Sequence, residues 1–461
     1  MSYIKNRNAL LAVGDAELRR VALDIAEQGI AAADPAVRLR QILRMDGKTL
    51  CVEQLRFDLD AGRRVFVIGA GKASFPIAKA IDDIVGPHVH AGLVTCKEGQ
   101  EGQLQHIRLH LAAHPVPNEA SLQAATQTQV LLEQVRAGDI VLCCFTGGSS
   151  SLFVKPVPGV SLDDKAQANR LLLTCGANIE EINDVRKHLS QVKGGRLIHP
   201  LPAGTQVINL TVSDVIGDAL DYITDPSVAD RSTFADAQAV LDKYGLWDRM
   251  PVSVSAHLRQ APAQAETIKA ADLQHLVRHD VLLVRTDAAC TGAANASRAA
   301  GYAPVVLSTL FEGESSVLGR NLVAIARQIL LDGHPVSPPC VLIGGGETTV
   351  TVNGHAGQGG PNQEFAVSAA LELCGTQGIV ALGLDTDGTD GPTRFAGGIA
   401  DGLTRRLARQ AGHDLHSALM CHDVTPVLES IAHAIDTGAT GTNVNDLKLI
   451  VIGGPSDAPL R

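Results

Sequence analysis

The sequence predicts an α/β protein of two domains, on three observations. Short apolar runs that read as strands alternate with helical patterns from residue 63 onward, the pattern of a parallel sheet covered by helices on both faces. At 461 residues the chain is too long for one core. Two glycine-and-carboxylate blocks, at 343–364 and 381–393, each follow an apolar run in the C-terminal half, at 341–343 and 379–384.

Taken in order, the first sixty residues carry a helical pattern, amphipathic at its start, with charges throughout and unlike a signal peptide. Strands are expected at 64–69, 92–96, 139–145 and 206–212, separated by helices at 73–84, 121–135 and 163–175. Helices at 233–243 and 253–259 follow, then a polar, alanine-rich segment at 260–274 and a strand from 281. Prolines within 333–339 introduce the glycine-rich half, and a last strand occupies 447–453. The domain boundary falls between about 230 and 340.

A formal charge of −10 and 3% aromatic residues weigh against nucleic-acid binding. They leave an anionic small molecule open, because local donors make such a site. Nine cysteines, odd in number, widely spaced and without a C-x-x-C, read as free thiols in a reducing compartment. No apolar stretch reaches the length of a membrane span. A cytoplasmic protein without a membrane partner is expected.

Glycines at a strand end let backbone approach a ligand and offer N–H groups to anions. Glu347, Glu364, Asp385, Asp387 and Asp390 lie among them as oxygen ligands suited to a hard cation. Such a combination suits phosphoryl transfer, and solvated surface turns are the plainer alternative. Residues 65–74 run strand, Gly69-Ala70-Gly71, Lys72, then helix, a place for a phosphate or a plain strand–helix turn. Ser74 stands where a dinucleotide fingerprint needs its third glycine. At 144–153, Gly147, Gly148, Ser149, Ser150 and Ser151 form a second strand-to-loop able to bind carboxylate or phosphate. The spacing of a serine nucleophile elbow is absent. Lys193 and Arg196 flank two glycines, which suits an anion as well as a solvated helix face. Asp214 and Asp218, four apart, read as a metal or general-base pair or as an exposed turn. His114 opens a proline-rich loop within reach of a ligand or simply structural.

In this order the blocks resemble the class II glycerate kinases, the glycerate 2-kinase family with the MOFRL domain. The motifs that carry the likeness are GlyAlaGlyLysAlaSer (69–74), HisProValPro (114–117), SerAspValIleGlyAsp (213–218), GlyGlyGluThrThrVal (345–350), AsnGlnGlu (362–364), GlyThrAspGlyProThr (388–393) and ThrGlyThrAsnValAsnAspLeu (440–447). The resemblance implies a Rossmann-like N-terminal domain over 1–260 and a second α/β domain over 261–461 holding the MOFRL region at about 338–450. It implies an active site in the cleft between them. It also implies ATP- and Mg²⁺-dependent phosphorylation of D-glycerate to 2-phosphoglycerate by a monomer or homodimer. Carried over by motif, Lys72 is the catalytic or phosphate-stabilising lysine, and Asp214 or Asp390 accepts the hydroxyl proton. Gly69, Gly71, Ser74, Gly147, Gly148, Ser149, Ser150, Lys193, Glu347, Asn362 and Gln363 hold nucleotide and phosphate, and Asp218, Glu364 and Asp387 hold the metal.

The chain departs from the family pattern in four places. Pro361 stands where the family has an arginine before Asn-Gln-Glu, and Arg394 is the candidate replacement for that cation. Ser149 replaces a third glycine, and residues 224–227 and 285–287 also differ. The alternatives are a kinase of another small 2-hydroxy acid, an NAD(P)H-dependent hydroxypyruvate reductase, and a binding protein without turnover. The reductase needs nicotinamide binding at 69–74, against which the missing third glycine and the lack of a ribose-binding acid weigh.

Overall fold

The computed structural model describes residues 2–100, 102–213, 226–352, 354 and 357–454. The chain forms two compact units, Pro35–Val284 and Met1–Asp34 with Arg285–Arg461. The single boundary expected at 260/261 gives way to crossings at 34/35 and 284/285, because the N-terminal helix packs with the C-terminal unit.

In the first unit, β1 (Leu43–Asp46), β2 (Thr49–Val52) and β3 (Leu55–Asp58) form an antiparallel sheet. Helices do occupy Arg7–Leu11, Ala16–Ala32 and Pro35–Ile42, but the helical expectation for the first sixty residues fails beyond them. Asp46 and Gly47, the latter at φ +60°, begin a tight turn, and Asp-Gly between apolar runs is a hairpin signal.

The main sheet of this unit contains β4 (Val65–Ala70), β5 (Val89–Lys97), β6 (Arg108–Ala112), β7 (Ile140–Phe145), β8 (Gln206–Val212) and β9 (Val277–Val284). All neighbours pair in parallel, in the order β6-β5-β4-β7-β8-β9. Counted from β4 this is the doubly wound order 3-2-1-4-5-6. Every residue of β4 and β7 is buried, which is why both read as unbroken apolar runs. Helices Ser74–Val85 and Glu119–Leu132 pack on the sheet, the second over Phe66, Ile68, Leu93 and Phe145. Asn118 caps the second of them through a reciprocal pair with Ser121. Four further helices, Leu162–Thr174, Ile179–His188, Phe234–Lys243 and Val252–Gln260, share a core of Leu172, Val185, Leu241 and Leu258.

The second unit is built on β10 (Ala303–Phe311), β11 (Cys340–Gly346), β12 (Ile379–Asp385), β13 (Gly397–Asp401), β14 (Ala434–Ile435) and β15 (Asp446–Ile452). Their order is β10-β11-β15-β12-β13-β14, with β10 parallel to β11 and the other pairs antiparallel. The last strand thus lies in mid-sheet, buried along its whole length. Helix Pro361–Leu373 packs on β12 and β13, and Ser315–Asp332 packs on that helix. All nine cysteines are free thiols. Among the described residues no helix is long and apolar enough to cross a membrane.

Helix Ala16–Ala32 is held in the second unit by packing on Ala288–Ala299 and β15, and by a buried polar cluster. Arg19, fully buried, donates from Nε to Asp401 Oδ2 at 2.7 Å and from Nη1 to the Leu10 carbonyl at 3.0 Å. Its Nη2 lies 2.6 Å from His433 Nε2, while His433 Nδ1 lies 2.7 Å from the Ile431 carbonyl. This places the imidazole proton on Nδ1 and leaves Nε2 as acceptor. Burial first, then the Arg19 charge, pushes the His433 imidazole down to about 3 from its ordinary 6.5. Below pH 6.5 the unfolded chain therefore takes up a proton that the folded chain refuses, and stability falls as pH drops towards 3. Urea midpoints are expected to decline from pH 7 to pH 5 with a His433 share of at most about 1.4 kcal/mol per pH unit. His433→Gln should flatten that decline. Equal slopes in both proteins would remove His433 as its cause.

Candidate functional site

In a doubly wound sheet, ligands bind beyond the carboxyl ends of the strands where the order reverses. Here that point lies between β4 and β7, and the loops after them are tied together. A Cβ on Gly69 would stand 2.5 Å from the Cys144 carbonyl oxygen, and one on Gly71, at φ +144°, 2.1 Å from Thr146 Oγ1. The Lys72 N–H donates to the Gly147 carbonyl at 2.8 Å and the Ala73 N–H to Thr146 Oγ1 at 3.1 Å. Ser74 Oγ donates to the Cys144 carbonyl at 2.6 Å.

These contacts revise part of the expected phosphate site. Gly69 and Ser74 are buried, the first by close strand approach and the second by its hydrogen bond, so both hold the loops together. Ser149 is likewise buried and its N–H donates to the Thr146 carbonyl at 3.2 Å. What remains towards solvent is half-buried Lys72, Gly147, Gly148 and Ser150. Gly148 sits at φ +84°, and a Cβ there would come within 3.0 Å of Lys72 Cγ and 3.2 Å of His114 Nε2. Lys193, buried, donates from Nζ to Ser150 Oγ at 3.0 Å. A cavity of about 300 Å³ opens beside Gly148 and Ser150. Asp214 and Asp218 lie outside the described residues.

The C-terminal glycine blocks build a second polar cluster, within their own unit. Gly360 precedes helix Pro361–Leu373 and Pro361 takes its first position, where a missing N–H costs nothing. Asp390 receives the amides that follow. Its Oδ1 accepts from the Asn362 N–H at 2.9 Å and Nδ2 at 3.2 Å, and its Oδ2 from the Gln363 N–H at 2.9 Å and Nε2 at 3.0 Å. Burial, opposed by those amides and reinforced by Asp446, pushes its carboxyl up to about 6. Asn362 Nδ2 also donates to Asp446 Oδ1 at 2.6 Å, and its Oδ1 accepts from Lys448 Nζ at 2.7 Å. Asp446 Oδ2 accepts from Lys448 Nζ at 3.0 Å and from the Thr348 N–H and hydroxyl, both at 2.9 Å.

Asp390 is therefore a buried positioning group with both oxygens engaged, where a proton acceptor at a substrate hydroxyl was one expectation. Asn362 and Gln363, expected at a nucleotide, are buried as its partners. Glu364 is buried beside His422, with Oε1 2.9 Å from Nδ1, and burial raises its carboxyl above the usual range. Asp387 Oδ1 accepts the Thr389 N–H at 2.7 Å, and the Asp387 N–H donates to Asp385 Oδ1 at 2.9 Å. Glu347 is exposed. Among the described residues no group of three or more His, Cys, Asp or Glu side chains converges as a metal site. Arg394, the candidate replacement for the missing arginine, makes an exposed ion pair. It pairs on the surface with Glu429 at 2.6 Å, the two side chains 68% and 52% exposed.

Comparison with known proteins places this geometry. Residues 21–259 match the family described as Domain of unknown function (DUF4147), and residues 340–446 match the MOFRL family. A glycerate 2-kinase of Pyrococcus horikoshii is 37% identical over 438 residues, covering 95% of this chain and 98% of that protein. The chain belongs to the glycerate 2-kinase family. A second member, the D-glycerate 2-kinase of Thermotoga maritima, is 37% identical over 434 residues, covering 93% of this chain and 97% of that one. The crystal structure of a glycerate kinase from Thermotoga maritima superposes with a TM-score of 0.77 at 35% identity, over 95% of this chain and 99% of that one.

Sequence reasoning missed Lys448 and His422, and quoted Asp446 and Thr348 only as members of motifs without singling them out. Lys448 had a signal, a lone cation inside the apolar run 447–453. A buried charge in such a strand calls for a partner, and Asp446 two residues earlier lies on the same strand face. Replacing Asp390 with alanine would leave four donors without their acceptor. Asp390→Ala is expected to destabilise the protein by about 3 kcal/mol or more, read as a lower thermal midpoint; an unchanged midpoint would show that the cluster is dispensable.

Proposed function

We propose that this protein phosphorylates D-glycerate at its 2-hydroxyl with ATP, giving 2-phosphoglycerate. Glycerate kinase activity follows from family membership over nearly the full length of both chain and relatives. In the finer reading, the 2-position as acceptor is supported by the glycerate 2-kinases that the chain resembles, and ATP as donor by one observation above others. The loops at the carboxyl ends of β4 and β7 bring Lys72 beside Gly148, and Lys193 beside Ser150.

This cradle fits a phosphate chain. Gly148 leaves open the space that a Cβ would fill between Lys72 and His114, and small-residue backbone lets phosphate oxygens approach. The Lys72 ammonium is placed to neutralise charge on the transferring phosphoryl group, in a reaction governed by positioning and electrostatics. Lys193 fixes the Ser150 hydroxyl, whose oxygen accepts from Nζ, leaving its proton for an anion. Of the two acids expected to take the hydroxyl proton, Asp390 is engaged on both oxygens. We assign that role to Asp214, on its sequence position after β8. Mg²⁺ enters as part of the ATP substrate, where it would neutralise phosphate charge. Among the described residues no converging donor set is present to hold it, so no step is drawn through it.

Incubation with Mg²⁺-ATP and D-glycerate should give 2-phosphoglycerate by phosphorus NMR. The 3-isomer, or no product alongside NADH-dependent loss of hydroxypyruvate, would overturn the reading. Lys72→Ala is expected to lower kcat by about 100-fold or more, the scale of losing one transition-state donor. Arg394→Ala should keep turnover within about twofold of wild type, as for an exposed ion pair. Full activity of the lysine variant, or collapse of the arginine variant, would reverse these assignments.

A further inference from the structure

Of the two cations that flank Gly194 and Gly195, Arg196 turns inward and binds backbone. Its Nη1 donates to the Lys187 carbonyl at 3.1 Å and to the Ser190 carbonyl, and its Nη2 donates to the Ala265 carbonyl. Burial pulls the guanidinium below its ordinary range, and the charges of Glu266 and Asp230 oppose that shift. One side chain thus joins the end of helix Ile179–His188, the turn after it and the loop at Ala265. Other bonds fix the same turn. Ser190 Oγ accepts from the Val192 N–H at 3.3 Å and from the Lys193 N–H at 3.2 Å. The Gly194 carbonyl accepts from the Ile268 N–H at 3.1 Å. Lys187 Nζ donates to Asp230 Oδ1 at 2.9 Å, with both side chains buried. From this turn Lys193 reaches Ser150, its Nζ 3.0 Å from Oγ.

We infer that Arg196 is a positioning residue for phosphoryl transfer, holding the turn that aims Lys193 at Ser150. The inference rests on the phosphate-cradle reading above. Lysine carries a point charge on a flexible four-carbon stem, so the backbone it springs from sets its aim. A planar guanidinium holds several carbonyls at fixed angles, which suits it to lock such a turn. Once the turn relaxes, Lys193 draws away from Ser150 and the hydroxyl is free to rotate. Its proton then no longer points at an anion in the transition state, where preorganised donors matter most. Arg196 acts through Lys193, and its contribution disappears when Lys193 is removed.

The test is a double-mutant cycle on kcat, with Mg²⁺-ATP and D-glycerate saturating. Arg196→Gln keeps an amide for one carbonyl and is measured in wild type and in Lys193→Ala. It should lower kcat about tenfold in wild type, against the roughly 100-fold that a 1 Å misplacement can cost. In the Lys193→Ala background the loss should shrink below about twofold. KM for both substrates should stay within about twofold, as for a contact made in the transition state. Ser190→Ala leaves the guanidinium in place and should show the same coupling on a smaller scale. A second readout needs no turnover: acetylation of lysine amines by acetic anhydride, followed by mass spectrometry. Buried Lys193 should label several-fold faster in Arg196→Gln, while Lys448, buried in the other unit, keeps its rate. Equal losses of kcat in the two backgrounds would make Arg196 a general support of the fold and overturn the inference. So would unchanged kcat, or an unchanged Lys193 labelling rate. Faster labelling of Lys193 in a protein that makes no phosphoglycerate would instead overturn the kinase reading and leave the positioning role standing.

Discussion

No side chain fits between the carboxyl ends of β4 and β7. The backbone of Gly69 runs against Cys144, and Gly71, in a conformation that side chains rarely adopt, runs against Thr146. Because the two strands are parallel neighbours in register from Val65 with Ile140 to Ala70 with Phe145, their loops emerge together. Hydrogen bonds from Lys72, Ala73 and Ser74 then lock one loop onto the other. The positions of Lys72 and Gly148 follow from that contact, and so does the wall of the adjoining cavity. A glycine-rich stretch that reads as a phosphate loop is thus used first for packing. Only part of it is left for a ligand.

The second unit is organised around the first turn of helix Pro361–Leu373. A helix start leaves backbone N–H groups without partners, and Asp390 takes two of them while also holding both amide side chains. Lys448 sits in the middle of a fully buried strand, matched by Asp446 and Asn362 and lying 5.2 Å over the Phe365 ring. Breaking one member of such a set exposes the others to an unmet desolvation cost. Proline at 361 is compatible with this arrangement because the first helical position needs no donor. Its backbone carbonyl accepts from Ser315.

Legibility in the sequence tracked burial. The strands β4, β7, β8 and β12 read as apolar runs because each is buried along nearly all its length. β6 and β10 went unread although β6 alternates Leu109 and Leu111 with polar residues and β10 opens on an apolar run; both are half exposed and lack the fully buried run of the others. β1 to β3 were hidden inside a helical pattern although the Asp46-Gly47 turn was in plain view. The sequence offered Lys72, Gly148, Ser150 and Lys193 as neighbours of predicted strands or glycines, and the fold brings Lys72 beside Gly148 and Lys193 beside Ser150. Arg394, singled out as a cation close in sequence to a motif, faces Glu429 and solvent, which sequence proximity alone does not reveal.

By itself the sequence determined the α/β class, the parallel sheet of the first unit, the family and the chemical character of its loops. These depend on local periodicity, turn residues and ordered motifs, which a linear chain carries directly. Tertiary structure decided the rest. It put the N-terminal helix in the C-terminal unit, set β15 in mid-sheet, and turned Asp390 from a candidate base into a helix anchor. Such outcomes depend on distances between residues far apart in the chain and on which groups lose water together. Neither quantity exists until the chain has folded.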